Sequence, residues 1–477
     1  MIVPLLSAFL LAPLLASAAC TSNSSNTAAL QKLIQNGGAG YTLQLCPSNV
    51  FALNDVLNYT AINQEISTEG YPTDDTRATL IVSGFNKTTA VSAATKGRDG
   101  AVLRNIIVSL SVASKANETI YKGGGGNIEF GGVNSNQTIE YVKTYDPRGW
   151  SCMHISEGQL NCYNATIQNN DIGPCGTDFF QNWADGVSLS CSESLVQNNE
   201  IVDATDGGIV VFGAPFSTIR NNTIRAKTRI MIGGINMVDV KPWKPIGNYS
   251  HTVVEGNTIY GGFATGMGND TLGPQDYGAI IKMGIALGPD AWFSDQRFGA
   301  NKSTGGVIRD NSLSGAFAFG MGVTSAEDFV IENNTFFGNT SFIGVQGPNC
   351  TTGWKTPHPS VPLLSESTYL VNVSIDVPDS SPFDFVNGTG IGLTCFVAPN
   401  KTEYAWPYGG GQVNSVEPSE TSDGSSGSQT SVASTASATS SDSAGSRGVA
   451  TQGPWVLVMS WAAGLMLAVA GGISVVI

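Results

Sequence analysis

The chain has 477 residues, with 37 Asp and Glu against 23 Lys and Arg, a formal net charge of −14 and 3 His. That balance argues against nucleic acid and anionic membrane surfaces as partners, because both recruit a basic face. The sequence contains no phosphate-binding loop, no dinucleotide fingerprint and no Ser/His/Asp arrangement, and so few histidines leave little material for histidine chemistry.

Residues 1–19 are apolar and end in small residues, with Ala16 and Ala18 forming a cleavage pattern, so a signal peptide is expected. Export permits disulfides, and the 8 cysteines are an even number. From Thr27 to Gln35, Leu30, Leu33 and Ile34 fall on one helical face, and Asn36-Gly37-Gly38 ends the run. A short helix is therefore predicted before the first strand, Tyr41–Leu45, where it would cover the open end of a repeat array. Thr79 to Thr144 is weakly marked, with Leu103-Arg104-Asn105-Ile106-Ile107 as a candidate early repeat.

The repeat is clearest from Ala184 to Ile224. There 21 residues separate Asp185 from Asp206 and 23 separate Asn199 from Asn222. Short β-type runs at that period, with no helical pattern between them, signal a solenoid. A turn pair recurs as Asn169-Asn170, Asn198-Asn199, Asn221-Asn222, Gly256-Asn257, Asp310-Asn311 and Asn333-Asn334, each flanked by Ile, Val, Leu or Phe. The first position accepts Asn, Gly and Asp, the residues that tolerate positive φ. The second is always Asn, as a column of amides bonded from coil to coil would require. Cys162 lies seven residues before Asn169 and Cys191 seven before Asn198, so the two stack on adjacent coils and are expected to be bridged. Cys20–Cys46, Cys152–Cys175 and Cys350–Cys395 follow by elimination.

The segments Val240 to Asn248 and Pro289 to Gly305 are read as loops inserted around one face. Asn-x-Ser/Thr sequons are dense, among them Asn58, Asn136, Asn164 and Asn372, and imply a eukaryotic secretory route. Residues 20–405 are assigned to the repeat domain and 406–447 to a Ser/Thr-rich disordered stalk. Residues 448–477 are assigned to a GPI-attachment signal, with small residues Ser443-Ala444-Gly445, a spacer and an apolar tail. The expected location is extracellular, at the cell surface or wall, on a GPI anchor in the membrane.

The turn column resembles the asparagine ladder of right-handed parallel β-helices of the pectin-lyase-like class, over roughly residues 100–345. The resemblance implies an all-β, right-handed parallel β-helix solenoid with an N-terminal capping helix. It implies nothing specific about function.

For chemistry the chain offers carboxylates. Asp185 and Asp206 each precede a Gly-apolar-x-apolar strand; the matching runs start at Cys152, Gly234, Gly284 and Gly322. Alternation sends Val187 and Leu189 inward, and His154, Ser188 and Asn236 outward. In one register the two aspartates stack on adjacent coils, about 5 Å apart at the backbone, which would split their pKa values as a general acid and its partner need. A register in which Gly208 rather than Gly207 matches Gly186 is also open, and a one-residue slip reverses side-chain direction.

These strands also resemble the active-site strands of polygalacturonase-type glycosidases. Ala184-Asp185-Gly186 is similar to their Asn-Thr-Asp-Gly strand, and Thr205-Asp206-Gly207 to the next, which opens Asp-Asp. Ile232-Gly233-Gly234 stands where they carry Gly-His-Gly, and Ile281-Lys282 where they carry Arg-Ile-Lys. The resemblance implies acid and base roles for Asp185 and Asp206 alone, because Thr205 and Gly233 replace the third aspartate and the histidine. Asp178, Asp203 or Asp239 would then have to supply the missing acid. His154 and Lys282 are further supporting candidates, and Trp150, Trp183, Trp243 and Asn236 are candidate sugar contacts. The bland alternatives are Asp-Gly turns that cap backbone N–H groups, a packing histidine, a solvated lysine and tryptophans covering loops.

Three readings follow. The first is a glycoside hydrolase on a polysaccharide. The second is a lyase or epimerase on uronates. The third is a wall structural or carbohydrate-binding solenoid without catalysis. The second would need a basic residue to take a proton and a cation or metal to neutralise the carboxylate, and the outward face offers few such residues. No cofactor and no metal site are assigned, and a monomer is expected.

Overall fold

Each coil of the chain lays one short strand into each of three sheets, and every sheet is parallel throughout. The computed structural model of the protein describes residues 20–110, 124–156, 162–177, 182–237, 247–264, 279–288, 291, 302–338, 340–342, 363–365, 370–377 and 381–382. Among these the three sheets hold 12, 10 and 12 strands. The predicted signal peptide, stalk, attachment signal and Cys350–Cys395 pair lie outside the described residues.

Register explains the core. In the first sheet Ile139, Ile167, Val196, Ile219, Val254, Ile308 and Ile331 pair in succession. In the second, Ile172, Ile201, Ile224, Ile259 and Leu313 do the same. In the third, Ile155, Leu189 and Val211 form such a run, and all of these residues belong to one buried apolar cluster. Parallel strands supply the coil-to-coil hydrogen bonds, and the bore buries one aliphatic side chain per strand.

The corner between the first and second sheets is the predicted ladder. Asn169, Asn198, Asn221, Gly256, Asp310 and Asn333 all have φ between 54° and 62°. The next residues, Asn170, Asn199, Asn222, Asn257, Asn311 and Asn334, are at most 1% exposed. Each amide but the last donates to the Oδ1 of the next at 2.8–2.9 Å. The same Nδ2 groups also donate to main-chain carbonyls of the preceding coil. Asn105 differs from expectation. It holds the left-handed position (φ 53°), Ile106 takes the ladder position, and the Asn105 amide bonds the carbonyls of Tyr71 and Pro72. The column therefore ends at Asn170, whose Oδ1 accepts from the Val142 N–H.

A second left-handed column marks the corner between the third and first sheets: Asn136, Asn164, Glu193, Phe216 and His251, with φ between 56° and 61°. Here the main-chain N–H groups of Asn136, Asn164, Glu193 and Phe216 bond the carbonyls of Tyr163, Ser192, Pro215 and Ser250 in the next coil. The side chain is free to vary.

The N-terminal helix spans Thr27–Gly37, with Asn26 as its cap accepting from the Ala29 N–H and Gly38 (φ 70°) beyond its end. Thr27, Leu30 and Ile34 are buried. Leu33, expected on that face, is 38% exposed, because the helix touches the coil along a narrower stripe. Disulfides join Cys20–Cys46, Cys152–Cys175 and Cys162–Cys191, the last with Cα atoms 4.7 Å apart, one coil spacing.

Candidate active site on the outer face of the third sheet

The long connections of the chain enter or leave the third sheet: 111–127 and 261–279 lead into it, and 238–252 and 288–302 lead out. The outer face between them carries the candidate residues, and its geometry follows from a break in alternation. A Cβ on Gly186 would meet Ile201 Cγ2 at 2.8 Å, one on Gly208 would meet Ile224 Cγ2 at 2.7 Å, and one on Gly234 would meet Ile259 Cγ2 at 3.0 Å. These glycines therefore face the bore. Val187, Ile209 and Ile235, the next residues, are in the core as well. Two consecutive inward positions leave the residues on either side of them facing out, so Asp185 and Ser188 share the outer face. The Ser188 hydroxyl donates to Asp185 Oδ2 at 2.7 Å.

Val187 pairs with Ile209, which sets Gly186 opposite Gly208 and Asp185 opposite Gly207. The stacked register of the two aspartates is thus not the one adopted. Asp206 stands one coil on and one residue back, diagonal to Asp185. The alternation break spares Asp185 the reversal that a slip would otherwise cause. Gly322, read as a strand start, pairs instead with Ala286, and Gly320 takes the glycine position.

Asp206 is partly exposed, so its carboxyl lies on the outer side. Burial of that carboxyl raises its pKa from 3.8 to about 7. Met231, Ile281 and Phe317 pair in register inside the core, so their successors Ile232, Lys282 and Ala318 face outward. Gly207 pairs with Gly233 and Gly233 with Met283, which puts Asp206, Ile232 and Lys282 in one column. Lys282 is 2% exposed, and burial lowers its ammonium to about 8. It is not the solvated lysine of the bland reading.

Asn236 lies on this face, 3% exposed. One coil before Asp185, the His154 ring approaches Glu129 Oε2 through Nδ1 at 2.7 Å and meets Trp150 edge-on at 4.6 Å between centroids. The Asp185 N–H bonds the Trp150 carbonyl, and Trp183, partly exposed, lies two residues before that strand in a bridge with Gly176. Asp203 serves a turn. Its carboxylate accepts from the N–H groups of Lys227 and Thr228 at 2.7 and 3.0 Å and from the Thr228 hydroxyl at 2.6 Å. Asp178, Asp239 and Trp243 lie outside the described residues.

The structure thus brings Asp185, Asp206, Asn236 and Lys282 together over four coils. Sequence reasoning had no hold on the Ser188–Asp185 bond or the Glu129–His154 pair. The first depends on the break in alternation within one strand, and the second on the register that sets Glu129 beside His154.

Three parallel sheets wound with one strand each per coil define a right-handed parallel β-helix. Residues 134–351 match the family described as right handed beta helix region. No curated protein sequence matches the chain. Among solved structures, the alginate lyase from Paenibacillus sp. str. FPU-7 is similar at a TM-score of 0.41 and 11% identity, over 66% of this chain and 95% of that one. The catalytic domain of a GH87 alpha-1,3-glucanase in complex with nigerose gives 0.39 and 15%, over 77% and 68%. The A-module of a mannuronan C-5 epimerase from Azotobacter vinelandii gives 0.42 and 11%, over 74% and 86%.

Proposed function

We propose that this β-helix acts on a polysaccharide as a glycoside hydrolase, with Asp206 as the proton donor and Asp185 as its partner carboxylate. The observation that carries this reading is the diagonal placement of the two aspartates on one outer face, with the Asp206 carboxyl raised to about 7. A carboxyl with that pKa stays protonated at mildly acidic pH and can give its proton to a leaving oxygen. Ser188 orients Asp185 through its hydroxyl. The protein is proposed to work outside the cell, tethered by a GPI anchor; three disulfides support an exported chain.

Lys282 favours a second reading, a lyase or epimerase on uronates. A buried amine lowered to about 8 is partly neutral near pH 8 and can accept a proton, while its charged form can neutralise a carboxylate.

The test is the secreted protein on neutral and acidic polysaccharides, following reducing ends and the absorbance of unsaturated products. New reducing ends without unsaturation are expected, lowered about 100-fold or more in Asp206→Asn and in Asp185→Asn. Unsaturated products would move the assignment to the lyase. Binding without turnover, indifferent to both variants, would leave a binding protein.

A further inference from the structure

The left-handed position before each ladder asparagine is Asn169, Asn198, Asn221, Asp310 or Asn333, and glycine only at Gly256. Gly256 has φ 62°, close to the 54–55° of the other five, so the conformation is one that Asn and Asp hold and does not itself require glycine. The space beside it is what differs. Outside its chain neighbours and among the described residues, a Cβ on Gly256 would meet one atom within reach, Asn221 Oδ1 at 2.9 Å. The Asn221 side chain therefore leans toward the next coil and lies over the glycine.

Asn221-Asn222-Thr223 is an acceptor sequence for an N-linked glycan. At Gly256-Asn257-Thr258 and Asp310-Asn311-Ser312 an asparagine in the first place would complete the same signal, and neither coil has one. The next such signal in the column is Asn333-Asn334-Thr335, three coils on, about 14 Å along the stack. A glycan is added to the unfolded chain, so the folded corner need only leave room for the sugar and give up no bond to it. Asn221 meets both conditions: it is exposed, and among the described residues its side chain makes no hydrogen bond. Its neighbour Asn222, 1% exposed, remains in the ladder. The corner between the third and first sheets differs. There Asn136 and Asn164 also begin sequons, but the Asn164 amide is engaged, donating to Asn136 Oδ1 at 2.5 Å.

We propose that Asn221 carries an N-linked oligosaccharide whose first sugar lies over Gly256, and that the glycine is there to seat it. The proposal rests on the reading of the chain as exported. The glycan stands at the corner between the first and second sheets, away from the outer face of the third sheet where Asp185 and Asp206 lie, so it does not obstruct the candidate site. A side chain at 256 would press on the amide that links the sugar, and that amide cannot turn aside as an unmodified one can.

The test uses the full chain made in a eukaryotic secretory host. Enzymatic release of N-glycans in heavy-oxygen water leaves a labelled aspartate at every modified asparagine, and peptide mass spectrometry locates it. The label is expected at Asn221 in most molecules. A label at exposed sequons such as Asn58 and Asn86 with none at Asn221 would overturn the proposal and leave the export reading standing. No label at any sequon would remove the export reading and the proposal with it. The seat is tested by Gly256→Asp, which takes the conformation that Asp310 shows and creates no new sequon. Its melting temperature should fall by several degrees in the glycosylated chain. The fall should be clearly smaller when combined with Thr223→Val, which removes the signal at a partly exposed position and leaves Asn221 in place. Equal falls in the two backgrounds would show that no sugar rests on Gly256 and would overturn the proposal.

Discussion

At the scale of single residues the proposed acid is Asp206, and its raised pKa gives two expected pH dependences. The acid must be protonated to act, so activity on a hydrolysable polysaccharide should fall as pH rises through about 7. Stability follows the same direction. The folded state holds the proton between about 4 and about 7, whereas the unfolded carboxyl, near 3.8, releases it. The folded form therefore binds more protons across that window, and stability declines as pH increases through it. Melting curves of Asp206→Asn should lack this decline, leaving the variant more stable than wild type above pH 7 and close to it near pH 4. Equal pH profiles for the two proteins would show that this carboxyl is not held protonated. Asp185 and Asp206 could be singled out in the sequence as acids before glycine-led strands. Their diagonal relation could not, because Gly207 and Gly208 are equivalent matches for Gly186 until strand pairing chooses between them. Asn236 was legible as an outward position and a candidate sugar contact, but not its burial.

Between single residues and the whole solenoid stands the coil corner, and the two corners differ in what they ask of the sequence. The ladder corner needs an amide that donates and accepts at once, so only Asn serves and the repeat can be read directly. The opposite corner is held by main-chain bonds from left-handed residues, so Asn136, Asn164, Glu193, Phe216 and His251 share a conformation without sharing chemistry. No pattern search would align them. The same logic explains Asn105: one asparagine near an apolar run satisfies the motif, but only the following residue enters the column. The ladder should respond steeply to truncation. Asn222→Ala removes the donor to Val196 and Asn257 and the acceptor for Asn199, leaving buried groups unpaired on both sides. A loss of about 3 kcal/mol or more is expected in chemical denaturation, compared with a few tenths for the exposed neighbour Asn221→Gly. Equal effects from the two would mean that water replaces the missing amide.

The whole molecule is a stack whose coils touch only their neighbours, so its ends matter more than those of a globular domain. At the N-terminal end the helix Thr27–Gly37 covers the first coil, with Leu30 and Ile34 buried against it. Gln31 ties it further through hydrogen bonds to the main chain of Asn58. Removing residues 20–38 should expose a parallel sheet edge and apolar bore together, and the shortened protein should self-associate in size-exclusion chromatography. A shortened protein that stays monomeric would show that the first coil closes itself. Helix, solenoid and the Cys162–Cys191 bridge were legible because each follows from local pattern or spacing, whereas Cys20–Cys46 and Cys152–Cys175 were reached by elimination. The extent of helix contact was not, and Leu33 is on its exposed side for that reason.

The amide column also bears on how the protein ages. Hydrolysis of a ladder asparagine to aspartate would exchange a donor for an acceptor that faces the Oδ1 of the next coil, and would set a charge inside a dry column. The bonds that make the ladder hold each amide nitrogen between two acceptors and each oxygen against donors of the preceding coil. They keep the side chain from turning toward its own backbone, the movement that such hydrolysis requires. A column that stabilises the fold in the present therefore also protects it over time, and damage should collect first in exposed asparagines such as Asn136 and Asn164 at the corner between the third and first sheets.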